Sequence, residues 1–276
     1  MANAPKPTPA KKEGSSSASN LFATLVIPIC IVIGILIFKF VLGDANNFID
    51  NNVDNLPKQG NYAGMAYKGG PIVAILIGLL LMTIVFSVER MIVIGKATGK
   101  GSLQAFVTKI QGFLKTNNIS AAIAECDKQQ GSVANVIKSG LKKYSEVEGD
   151  DRLDVEQSVL AIQKDIEEAT TLEMPMLEQN LTVIATLVSI GTLTGLLGTV
   201  TGMIKAFAGL ANSGAPDQAA LAVGISEALM CTATGIGTST LAIIMYNILT
   251  SKIDKLTYAI DEAGFSIVQT YASTHK

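Results

Sequence analysis

The chain reads as an all-α, polytopic membrane protein with three core spans, one extra N-terminal span, and long helices projecting into a cytoplasmic helical domain. Three observations predict this. The 276 residues are 49% hydrophobic and only 16% charged, against about a quarter charged in an ordinary soluble domain. Mean hydropathy is positive, at +0.41. The apolar residues gather in four runs of about the 20 residues that a helix needs to cross roughly 30 Å of hydrocarbon, and charges lie mainly between and beyond them. With no water in the bilayer to satisfy a bare backbone, each run is expected to be a helix.

In chain order, residues 1–20 are rich in Ala, Pro, Lys and Ser and read as a disordered cytoplasmic tail. The run at 21–42 contains only Lys39. It is longer than a signal-peptide apolar region and no A-x-A-like site follows it, so it reads as a retained extra transmembrane helix, mildly kinked at Pro28. Residues 43–70 form a periplasmic loop. The next span, 71–94, carries no charge until Glu89-Arg90, the pair expected at its membrane exit.

Residues 95–179 hold about half of the chain's charges and read as a cytoplasmic helical domain. Ser120 suits an N-cap, and Gly112, Gly131, Gly140 and Gly149 are expected to divide the segment into short helices. From 152 to 178, Val155, Val159, Ile162, Ile166 and Ala169 recur at spacings of three and four, which makes one apolar stripe. The pattern runs into the span at 180–207, so one continuous helix is expected to leave the bilayer there. A second periplasmic loop, 208–221, leads to the span at 222–250. The C-terminal cytoplasmic helix, 251–276, continues a stripe through Ile253, Leu256, Ile260 and Ile267.

Orientation follows from basic residues beside the spans. Lys6, Lys11 and Lys12 precede the first, Arg90, Lys96 and Lys100 follow the second, and Lys252 and Lys255 follow the fourth, which puts both termini in the cytoplasm. Lys39 and Lys205 fall toward the other face, where their stems are expected to snorkel to lipid headgroups.

Composition excludes much chemistry. A net charge of −2, one histidine and three scattered cysteines argue against a nucleic-acid partner, a metal, a cofactor or a catalytic site. GKATGKGS at 95–102 lacks the spacing of a phosphate loop and the strand before it. The conspicuous residue is Glu227, a carboxylate inside an apolar run, where a charge costs about 2.5–3.5 kcal/mol at the helix centre. Such a group lines a polar cavity or pairs with a cation. Thr234 falls near its azimuth, and Thr182, Thr186 and Ser189 share a narrow arc of the preceding span. Two polar stripes facing one another would make a wettable seam. Gly191, Gly195, Gly198, Gly202 and Gly235 follow small-xxx-small patterns that bring helices close.

Several stretches resemble the ExbB/TolQ/MotA proton-channel (stator) family, most of all its ExbB branch. GLLGTVTGMIKAF at 195–207 and GISEALMCTATGIGTSTLAIIMYNIL at 224–249 are similar to that family's second and third core spans. FSVERMIVIGKA at 86–97 is similar to its first-span exit, and AAIAECDKQQGSVANVIKSGL at 121–141 to its cytoplasmic domain. The resemblance covers about residues 71–265. It implies a homopentamer in the inner membrane of a Gram-negative bacterium, whose pore-lining spans surround an ExbD-like dimer of single-span subunits. Proton flow past that partner would energise a TonB-like protein, and Thr186, Glu227 and Thr232 would line the proton path. A TolQ-like or gliding-type motor shares nearly all of these residues. A self-sufficient secondary transporter is the other alternative; it should show an internal repeat and several charged sites near the midplane, where this sequence has one membrane carboxylate and no repeat. Thr192 stands where family members commonly have proline, and Lys205 where no cation is expected.

Overall fold

The structure is a computed structural model; it describes residues 14–149, 152–212 and 218–275, with side chains at 22–149, 152–209 and 221–275. Among these residues it contains nine α-helices and no strand. Four helices are long and apolar enough to cross a membrane.

Helix α1 spans Gly14–Ile37 and ends in a wider π turn at Phe38–Leu42. It thus begins within the segment expected to be a disordered tail; residues 1–13 of that tail lie outside the described residues. Helix α3, Pro71–Thr98, runs beside it. Gly34 and Gly78 let the two backbones meet, since a Cβ on Gly34 would stand 2.7 Å from the Gly78 nitrogen. The opposite face of α1 exposes Leu25, Ile29, Val32, Leu36 and Phe40, as a helix bordering lipid should.

Residues 43–70 fold into a compact cap over one end of the spans. Asn47 is its organiser: Nδ2 donates to the Val41 and Leu42 carbonyls at 2.9 and 3.0 Å, and Oδ1 accepts from Asn61 Nδ2 at 3.0 Å. Asn61 in turn caps the short helix α2, Tyr62–Lys68. Phe48 is fully buried, and Tyr67 stacks on Phe38 with ring centroids 4.7 Å apart.

At the other end sits a helical bundle: α4 (Leu103–Lys115), α5 (Ile119–Gln129), α6 (Gly131–Glu148) and α7 (Val155–Glu178). Its core of Phe106, Ile110, Ile137, Leu141, Tyr144 and Ile162 is fully buried. Asn118, not Ser120, caps α5, accepting from the Ala121 N–H at 3.1 Å. Of the four glycines expected to interrupt helices, Gly131 and Gly149 lie at the limits of α6, whereas Gly112 and Gly140 lie inside α4 and α6. Gly140 is there because Ile166 of α7 packs on its backbone.

Helix α8, Leu181–Asn212, crosses back, and α9, Gln218–Thr274, is one unbroken helix of 57 residues, about 85 Å at 1.5 Å per residue. The expected continuity of α7 into α8 does not occur. Pro175 inside α7 removes one helical donor, and Asn180 takes φ of +62°, a left-handed conformation that asparagine tolerates better than most residues. Arg90 is drawn to this break. It is 2% exposed, is paired with its neighbour Glu89, and donates Nη1–H to the Met176 carbonyl at 3.0 Å. The exit pair therefore ties the end of the second span to the α7/α8 junction.

Candidate functional site

The site lies along α8 and α9, and small residues decide how they meet. Gly191, Gly195, Gly198 and Gly202 fall on one side of α8 by helical periodicity. Opposite them on α9 stand Gly224, Ala228, Cys231, Gly235 and Ser239. A Cβ on Gly235 would stand 2.7 Å from the Gly191 carbonyl oxygen, and one on Gly198 would overlap the Cys231 side chain. Close backbones of this kind let van der Waals contact hold helices together where lipid supplies no hydrophobic drive. Among the small residues a hydrogen bond crosses the contact, from Thr192 Oγ1 to Ser239 Oγ at 2.8 Å. The hydroxyl in place of the family's common proline thus has a partner.

Thr182, Thr186 and Ser189 occupy the other side of α8 and are exposed. Of the two polar stripes expected to face one another, Thr186 and Ser189 turn away from α9 of the same protomer, whereas Thr182 shares a cavity with its Tyr246 and Thr250. The glycine row takes the close contact with α9, and the hydroxyl row lies about half a turn away. Thr186 Oγ1 donates to the Val183 carbonyl at 2.8 Å. Further along, the same face becomes mainly apolar, with Leu193, Val200, Ile204 and Phe207 exposed. Thr199, which the sequence reading did not single out, borders a shallow groove with Val200, Met203, Ile204 and Phe207.

On α9, Thr234 and Thr238 donate back to the carbonyls of Met230 and Thr234, at 2.8 and 2.9 Å. Thr232 differs: its Oγ1 is buried and has no hydrogen-bond partner among the described residues. At the bundle end, a cavity of about 410 Å³ is lined by Glu178, Thr182, Tyr246, Thr250 and Asp254, among others.

Glu227 lies at the cap end. It is 7% exposed, and its Oε1 accepts from Lys205 Nζ at 2.6 Å. Lys205 is therefore not held at the headgroups by its own stem; it spans from α8 to α9 and neutralises the one carboxylate of the fourth span. This pairing was missed because a separation of 22 residues gives no periodic signal. Only the antiparallel packing of α8 on α9 brings the two together. The partner that a membrane carboxylate demands was the available clue. Of the other cations near this end, Lys39 lies 5.9 Å from the Phe40 ring centre, and Lys68, which lines a cavity with Ala222 and Ser226, donates to the Val53 and Asp54 carbonyls.

Residues 128–262 match the MotA/TolQ/ExbB proton channel family. The chain is similar to the Tol-Pal system protein TolQ of Pseudomonas aeruginosa, 28% identical over 189 residues, which cover 66% of this chain and 82% of TolQ. It is also similar to the biopolymer transport protein ExbB of Pseudomonas putida, 30% identical over 86 residues, 31% of this chain and 26% of that protein. A third relative is the ExbB-like biopolymer transport protein 3 of Synechocystis sp., 30% identical over 112 residues, 40% of this chain and 53% of that protein. Both the glycine-lined α8/α9 contact and Glu227 fall inside the matched segment, so the part of the chain that builds the site is that of the MotA/TolQ/ExbB proton channel family.

Proposed function

We propose that the chain is the ring-forming subunit of a proton-driven motor in the inner membrane of a Gram-negative bacterium. Its cap would face the periplasm, and its bundle and both termini the cytoplasm. The observation that carries the reading is the free face of α8. Hydroxyls at Thr182, Thr186 and Ser189 are poor lipid neighbours, so this face suits a water-lined or protein-lined pore. In a homopentamer, five such faces would enclose a dimer of ExbD-like single-span subunits with a membrane aspartate. Thr186, Ser189, Glu227, Thr232 and Thr234 would border the proton path. The extra helix α1, with its apolar outer face, would sit outside the ring against lipid.

One proton crossing about 100 mV releases roughly 2.3 kcal/mol. That can bias a step in a rigid ring, and several protons per event would be needed to drive work on an outer-membrane protein. The ExbB-like role is to energise a TonB-like protein. A second reading, a TolQ-like role, is favoured by the similarity to TolQ extending over 82% of that protein. Co-purification from the native membrane distinguishes them: recovery of a single-span subunit with a membrane carboxylate supports the motor, and a TonB-like or a Tol-Pal companion selects the role. Recovery of the chain with no such subunit counts against both.

A further inference from the structure

The two members of the Lys205–Glu227 pair are unequally placed. Glu227 is enclosed; the Lys205 side chain is 57% exposed and lies beside the exposed Ile204 and Phe207. Behind the carboxylate stands the start of α3. Gly70 has φ of +76°, and a Cβ on it would stand 2.5 Å from Glu227 Oε1. About one turn further along α9, Cys231 Sγ donates to the Gly69 carbonyl at 3.2 Å, which clasps the same two elements. The carboxylate is thus packed between the Gly69–Gly70 backbone and a single ammonium, and the ammonium is the side that can move. Among the described residues no second cation pairs with Glu227.

We propose that Lys205 is a positioning residue, a latch that keeps Glu227 out of the ion path at the cap-side mouth. A carboxylate on the single-span partner opens the latch by drawing the ammonium along the free face of α8. This rests on the motor reading above. While Lys205 is paired, its ammonium satisfies the Glu227 carboxylate. When the partner's ionised carboxylate takes the ammonium, Glu227 is left buried and unpaired, a state costly enough that it binds a proton from the cap-side water. Return of Lys205 displaces that proton toward the partner's carboxylate. The partner's carboxyl, neutral once it holds that proton, must release it on the bundle side before it is ionised and can draw the ammonium again, so each cycle carries one proton from the cap-side water past the partner.

The test uses the whole complex, co-purified with its partner and reconstituted in phosphatidylethanolamine/phosphatidylglycerol vesicles with entrapped pyranine. Resting proton uptake is expected to rise several-fold in Lys205→Met, to stay at the wild-type rate in Lys205→Arg, and to fall back in the charge-exchanged Lys205→Glu/Glu227→Lys protein. Gly70→Ala, whose methyl displaces the carboxylate while leaving Lys205 in place, is expected to leak as well. It provides the second reading if Lys205→Met does not assemble. Uptake in Lys205→Met or in Gly70→Ala equal to wild type overturns the latch, as does a charge-exchanged protein as leaky as Lys205→Met. A complex that passes no protons in wild type or any variant overturns the motor reading and the latch with it.

Discussion

The membrane half and the bundle half of this chain are both all-helical, yet they are held together differently. In the bundle, Ile110, Ile137, Leu141, Tyr144 and Ile162 are fully buried against one another, and burial of apolar area is the driving force. In the spans, Leu193, Leu196, Val200, Ile204 and Phe207 point outward, and glycines occupy the contact between α8 and α9. Lipid tails solvate a leucine as well as another helix does. There the contact depends on how close two backbones can come, and the large side chains are left for lipid or for other subunits. A single helix, α9, passes through both regimes and switches from Gly224, Cys231 and Gly235 at its contacts to Leu256, Ile260 and Ile267.

The largest break in this comparison is expected from Gly198→Val. Its side chain has no place against Cys231, so α8 and α9 must part, and yield of folded protein in detergent should collapse. Arg90→Gln strikes the joint between the two halves. It leaves Glu89 without its cation and the Met176 carbonyl with a weaker donor, and by the behaviour of broken buried pairs should cost about 3–5 kcal/mol, read as a lowered Tm. Ile162→Ala should cost about 2–5 kcal/mol in the bundle, whereas Leu193→Ala, on the free face of α8, should stay within about 0.5 kcal/mol. If the second matches the first in isolated protomers, the proposed division of forces is wrong.

The smaller effects sharpen the contrast. Gly112 lies inside α4 with open space around it, so Gly112→Ala should raise bundle stability by about 0.5–1 kcal/mol, the opposite sign to any substitution at Gly198. Glu125 is held below the usual carboxylate range, first by its hydrogen bond from Lys109 and then by Lys128. A lowered folded-state value means that this contribution is present above the unfolded pKa of about 4.3 and is lost as pH falls through the folded value. The small difference in Tm between wild type and Glu125→Gln should therefore persist at pH 7, begin to shrink as pH falls through about 4.3, and vanish only below the lowered folded-state value. Cys126, whose thiol burial pushes up to about 12, should resist iodoacetamide until the bundle opens, as peptide mass spectrometry would show.

Much of the architecture was legible in the residues because its signals are local. Hydrophobic runs and stripes of period three to four report the helices, and the small-xxx-small spacing marked the glycines that structure sets against α9. Local signals misled where two competed. Ser120 and Asn118 are both good caps, and the asparagine holds the position. The α7 stripe continues into α8 by pattern, but Pro175 and Asn180 end one helix and begin another.

By itself, the sequence determined that the chain is helical, that four runs can span a membrane, that charge concentrates outside them, and that Glu227 needs a partner. These follow from hydropathy and periodicity, which act residue by residue. Tertiary structure alone decided who that partner is, which side of α8 the hydroxyls take, and where Arg90 binds. Lys205 meets Glu227, Arg90 meets the Met176 carbonyl, and Gly70 meets a carboxylate 157 positions later because helices of fixed rise fold back on one another. Nothing in the spacing along the chain encodes that approach. It arises when the glycine rows bring the backbones into contact and the remaining side chains must settle around them.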